Sequence, residues 1–115
     1  MFSAGSQASK DSLTKITVAL DRTIAAFGAK PAIDWAGPLY QMANRLAHLY
    51  FFSEHNVPAR LVFVCFVGDA DMEGPESADE WRGALRAVRR MLGLPKHNGL
   101  TASIIDVFPH VREFA

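Results

Sequence analysis

Apolar residues recur at Leu13, Ile16, Leu20, Ile24 and Phe27, three or four positions apart, as one face of a helix requires. The spacing predicts a helix over 10–27. Ser9 or Asp11 serves as the cap, and Gly28 followed by Pro31 as the stop. After the connector "KPAIDWAGP" (30–38), Pro38 opens a second helix, 39–55, with Leu39, Met42, Ala43, Leu46, Leu49 and Tyr50 on one face. Gln41, Asn44, Arg45 and His48 form a polar stripe on another face, a candidate polar pocket. Tyr40, Leu49, Tyr50, Phe51 and Phe52 spread apolar surface over more of this helix than one core contact needs.

The pattern then changes. "RLVFVCFV" (60–67) is continuously apolar after Arg60 and rich in valine and phenylalanine, which predicts a central strand covered on both faces. A third helix starts at Ser77, which forms an S-x-x-E capping box with Glu80. Trp81, Ala84, Leu85, Val88 and Leu92 are its core stripe, and Gly93 with Pro95 ends it. "SIIDVF" (103–108) reads as a second strand. Strand, helix, strand implies a βαβ unit. The expected fold is a small α/β (α+β) protein of order α-α-β-α-β, with a few-stranded sheet packed by helices. Residues 1–9 are expected to be a mobile tail, and 10–115 a single domain.

Composition narrows the function classes. Twelve Lys and Arg balance twelve Asp and Glu, so no net field draws the chain to nucleic acid or membrane. The longest apolar run is far too short to span a bilayer, and the N-terminus has no basic start followed by an apolar stretch. One cysteine, Cys65, offers neither a disulfide framework nor a thiolate metal set. A cytoplasmic protein without a cofactor is the expectation.

The stretch "GDADMEGPESADE" (68–80) carries most of the candidate chemistry. From Asp69 it runs D-x-D-x-E-G-x5-E, placing Asp69, Asp71, Glu73 and Glu80 at calcium-ligand positions and Gly74 at the turn. Four features oppose that assignment: the length of Glu73, Pro75 at the seventh position, charged Glu76 at the eighth, and a strand where a helix should precede. Helix capping explains the same residues. Acidic Glu76, Asp79 and Glu80 gather at the start of the third helix, and Arg86, Arg89 and Arg90 towards its end, the order a helix dipole favours. The loop is therefore expected not to bind calcium with sensor-like affinity.

Arg82, Arg86, Arg89 and Lys96, with Arg90, form a basic band that offers phosphate contact, or else a solvated face opposite the core stripe. His48 and His55 lie about 10 Å apart along one helix and cannot share a zinc ion. His48 reads as a hydrogen-bonded structural residue, and His97 and His110 stand in no motif. No nucleophile motif is present. Cys65 inside a strand is expected to be inert, and Trp35 and Trp81 to be core or interface anchors.

At "PLYQMANRLAHLYFF", "ARLVFVCFVGDADMEGPESADEWRGALRAVRRMLGL" and "IIDVF", from about Ser6 to Val111, the chain resembles a group of uncharacterised bacterial proteins. Longer members are similar to restriction-endonuclease-like nucleases of the PD-(D/E)XK type. The resemblance implies a helix packed on a βαβ sheet. It also implies a preceding strand bearing glutamate–x–lysine to hold magnesium and activate water. No E-x-K occurs ahead of the matching segments, so nuclease activity of this chain is not expected. Gln41 stands where some such nucleases place a helix glutamine near the metal.

The residues together point to a small binding or assembly protein without catalysis of its own. A degenerate or complementing nuclease-like domain that contacts nucleic acid is the alternative, and a metal module at 69–80 the second. A sheet of two strands is marginal alone, and its open edges with apolar faces predict a homo-oligomer, a dimer or higher.

Overall fold

A computed structural model describes residues 10–68 and 74–111. The expected N-terminal tail, and Asp69, Asp71 and Glu73 of the acidic loop, lie outside the described residues. The elements are helix α1 (Lys10–Phe27), helix α2 (Tyr40–Glu54), strand β1 (Leu61–Val64), helix α3 (Ala78–Leu92), a 3-10 turn (Thr101–Ser103) and strand β2 (Ile104–Val107). This is the α-α-β-α-β order expected of a small α+β protein. The strands are parallel, with Leu61 opposite Ile104 and Val64 opposite Val107, so β1, α3 and β2 form one βαβ unit.

The three helices end in the same way. Gly28, Asn56 and Gly93 adopt left-handed backbone, with φ of 66°, 59° and 75°. At each, this residue and the next donate back into the last turn: Gly28 to Ala25 and Ala29 to Ile24, Asn56 to Ser53 and Val57 to Phe52, Gly93 to Arg90 and Leu94 to Arg89. The paired bonds satisfy carbonyls that a helix end would otherwise leave orphaned.

The remaining carbonyls of α3 are taken by the α1–α2 connector. Ala32 N–H donates to Met91 and Lys30 N–H to Gly93, both at 2.9 Å. The indole Nε1 of Trp35 donates to Leu92 at 3.0 Å. An Asx turn at Asp34, whose Oδ1 accepts from Ala36 N–H, turns the connector towards α2. Trp35 is thus both core residue and cap. It sits in the cluster of Leu20, Phe27, Ala43, Leu46, Leu49 and Leu92, against which Leu61 and Ile104 of the sheet and Val88 of α3 pack.

That packing covers one face of the sheet only. Along β1 and the residues after it, Val62, Val64 and Phe66 are 48%, 54% and 45% exposed, whereas Cys65 and Val67 are buried. The expectation that both faces of "LVFVCFV" are covered is therefore corrected for the single chain. All three helices contribute to the side of Leu61 and Ile104, and no described element covers the other.

Pro109 limits the sheet's length. Cys65 N–H donates to Val107 and Val67 N–H to Pro109, so the parallel ladder continues past Val64. In a parallel ladder the Cys65 carbonyl would accept from residue 109, which as proline has no N–H. The regular strand stops there, and only an isolated bridge, Val67 with His110, follows.

Candidate functional site

The arginines of α3 divide into two groups. Arg89 is committed to the fold: its two terminal nitrogens donate to the two carboxylate oxygens of Asp106 on β2, at 2.5 and 2.6 Å. The guanidinium also lies 5.4 Å from the centre of the Phe63 ring. A fork-on-fork bond over an aromatic face is a strong arrangement for arginine, and it joins α3 to both strands. Arg82 pairs with Asp79 one turn back and stands 4.8 Å over Phe108. Arg86 and Lys96 are exposed, with no ion-pair partner among the described residues. The four residues of the expected phosphate contact therefore do not converge as free cations.

The polar stripe of α2 is exposed at Gln41, Arg45 and His48 and bonds to its own helix. His48 Nδ1 lies 2.8 Å from the Asn44 carbonyl, and Arg45 donates to the Gln41 carbonyl at 3.4 Å. No part of the stripe lines the cleft described below.

At the start of α3, Ser77 Oγ accepts from Glu80 N–H at 3.1 Å, as the capping reading requires. Glu80 reaches back one residue further than a capping box predicts, and its Oε2 accepts from Glu76 N–H at 3.0 Å. Of the four calcium-ligand positions, Glu80 alone is described, and its carboxylate has this partner. Among the described residues no three His, Cys, Asp or Glu side chains cluster as metal ligands. Cys65 is buried; desolvation first, then the Asp106 carboxylate, pushes its thiol pKa up, with Arg89 opposing. Trp81 donates its Nε1 to the Phe66 carbonyl at 2.7 Å and so blocks one end of the outer edge of β1.

Two surface features have the chemistry of binding. The first is the bare sheet face: Val62, Val64 and Phe66 from β1 and the residues after it, with Val107 of β2, 37% exposed, beside them. Its strand positions, Val62 and Val64 with their partners Ile105 and Val107, are all apolar. Cys65 and Val67 direct their N–H groups to the carbonyls of Val107 and Pro109, so the alternate residues Val62 and Val64 turn their backbone groups to the open edge.

The second is an open cleft of about 810 Å³ between the ends of α1 and α2 and the turn before β2. Ala26, Leu49, Val57, Pro58, Ala59 and Leu100 are its apolar lining. Ser53, Asn56, Arg60, Asn98 and Ser103 are its polar lining. Asn98 fixes the turn against α1, because its amide donates to the Ala26 carbonyl and its Oδ1 accepts from Leu100 N–H. The lining comes from four separate segments, which is why no spacing in the sequence reveals it.

No described helix is long and apolar enough to cross a membrane. No protein-family model matches the chain, and no curated protein or solved structure matches it, so these two surfaces rest on their own geometry.

Proposed function

We propose that the chain is an assembly protein whose working surface is the outer face of its sheet, where a second copy of the chain packs. The observation that carries this reading is the exposure of Val62, Val64, Phe66 and Val107 on one sheet face whose strand positions are all apolar. A two-stranded sheet covered on one side is marginal, and sheet-on-sheet packing buries such faces about 10 Å apart. A self-complementary apolar patch suits a twofold pair, the commonest closed assembly. Phe51 and Phe52, 53% and 40% exposed at the end of α2, add apolar surface for a higher assembly.

The nucleic-acid alternative has less support, because Arg82 and Arg89 are engaged by Asp79 and Asp106. Resemblance to endonuclease-like proteins fits the assembly reading if the chain complements a catalytic partner, but the sheet face favours a second copy of itself.

Sedimentation equilibrium over a range of concentrations tests the proposal. A dimer or higher mass that falls to a monomer in Val64→Glu, with the circular dichroism spectrum kept, supports it. A monomer throughout, or an oligomer indifferent to Val64→Glu and Phe66→Ser, rejects it. Sedimentation with a labelled duplex separates the alternative: binding that weakens steeply with salt and with Arg86→Ala would favour it.

A further inference from the structure

The cleft beside Arg60 has a different chemistry from the sheet face. Among the described residues Arg60 is its sole charged lining residue, and no acid lines it. Arg60 is exposed and has no ion-pair partner among the described residues. Ser53 and Asn56 also line the cleft, and neither side chain has a hydrogen-bond partner among the described residues. Ser103 already donates to the Gly99 carbonyl at 3.5 Å. The free donors are thus one guanidinium, one hydroxyl and one amide, all suited to an oxyanion.

The C-terminal ends of α1 and α2 are the negative poles of their dipoles and oppose an anion by about 0.3–1 kcal/mol each, a cost reduced at α2. Its carbonyls at Phe51, Phe52 and Ser53 are already taken by the N–H groups of His55, Val57 and Asn56. Glu54, the nearest acid in sequence, accepts from the Tyr50 hydroxyl one turn back and does not line the cleft. The apolar lining is substantial, and Leu49, 4% exposed, is its least accessible member.

We propose that this cleft binds a small amphipathic monocarboxylate, its carboxylate on Arg60, Ser53 and Asn56 and its apolar body against Leu49, Val57 and Leu100. One guanidinium matches one carboxylate in charge and fork geometry. A phosphate dianion is less well served, since among the described residues no second cation and no glycine-rich loop lines the cleft. The volume lies within the range of small-molecule sites. Proline at 58 and left-handed Asn56 hold Val57 and Arg60 on a short, constrained segment, which lowers the ordering cost of binding.

Titration of the uniformly 15N-labelled protein at constant pH and ionic strength tests this, with hexanoate and 4-phenylbutanoate as probes. The expected result is saturable shifts at the amides of Ser53, Val57, Arg60 and Leu100 and at the Arg60 side-chain Nε. Arg60→Gln should weaken hexanoate by about tenfold or more, as loss of a charged hydrogen-bonding partner does. Arg60→Lys should fall between the two. Hexan-1-ol should bind more weakly than hexanoate and be indifferent to Arg60→Gln. Arg60 is exposed, so both variants should keep the wild-type spectrum elsewhere, which the same titration reads. Absence of saturation up to about 10 mM probe, equal hexanoate binding by Arg60→Gln, or tighter binding of inorganic phosphate would each overturn the assignment. The oligomeric state is measured separately, so failure here leaves the sheet-face proposal standing, and the reverse.

Discussion

The indole of Trp35 donates to the carbonyl of Leu92 at 3.0 Å, and the two residues are 2% and 0% exposed. A buried carbonyl at a helix end has no water to replace this donor. Trp35→Phe keeps an aromatic body but removes the N–H and part of the volume. The expected cost is about 2–4 kcal/mol, combining an unsatisfied acceptor with a partial cavity. Urea unfolding of the two proteins measures it.

Gly93 and Gly28 end their helices alike and should differ sharply on substitution. A Cβ at Gly93 would overlap the Lys30 carbonyl, whereas one at Gly28 meets nothing within 4 Å. Gly28→Ala should cost about 1 kcal/mol, the penalty of left-handed backbone with a side chain. Gly93→Ala must also push the connector off α3, breaking the bonds of Lys30 and Ala32. It should cost more than about 3 kcal/mol and lower the melting temperature accordingly. Equal effects at the two sites would show that the connector yields freely.

Arg89 and Asp106 are about three-quarters buried as side chains, so removing one partner leaves the other's charge poorly solvated. Arg89→Met and Asp106→Leu should each destabilise by roughly 2 kcal/mol or more. The double variant should lose less than the sum of the two. A double-mutant cycle by chemical denaturation reads the coupling directly.

The thiol of Cys65 is held above its ordinary pKa, chiefly by desolvation. The folded chain therefore keeps this proton at a pH where the unfolded thiol, with a pKa of about 8.5, has begun to lose it. More protons are bound in the folded state, so this contribution to stability is full below about pH 8.5 and is lost as pH rises through the folded value. Denaturation midpoints of wild type and Cys65→Ala, compared at about pH 7 and pH 9.5, should diverge in that sense. Alkylation by iodoacetamide should be far slower in the folded than in the denatured protein.

Thr101 Oγ1 is buried without a hydrogen-bond partner among the described residues. Thr101→Val keeps the branched shape and deletes the unmet group. It should be neutral or stabilise by up to about 1 kcal/mol, measured by thermal melting.

The helices were legible because their stripes and stops are local. Leu20, Ile24 and Phe27, Gly28 and Gly93 place α1 and the end of α3 without reference to any neighbour. Thr23 shows the limit: it is fully buried on α1, with its hydroxyl donating to the Ala19 carbonyl at 2.8 Å. It lies on the apolar stripe by spacing, but a hydroxyl next to an apolar core reads as surface unless the bond to its own helix is foreseen. The sheet's bare side was hidden for another reason. In "LVFVCFV" both sets of alternate residues are apolar, so no period of two distinguishes the covered side from the uncovered one. Only the placement of all three helices on the side of Leu61 makes that choice. Arg89 likewise shares the basic band with Arg86, and a partner seventeen positions away in β2 separates their roles.

The cap on α3 also has a consequence for the order in which the chain takes shape during synthesis. Trp35 leaves the ribosome well before Leu92, 57 residues later, is made. Until then α1, α2 and the connector have neither the Leu92 side chain of their core nor the carbonyls that Lys30, Ala32 and Trp35 bond. The N-terminal pair of helices must wait, loosely collapsed, for the C-terminal half, and a growing chain halted before α3 should remain sensitive to proteases along its whole length.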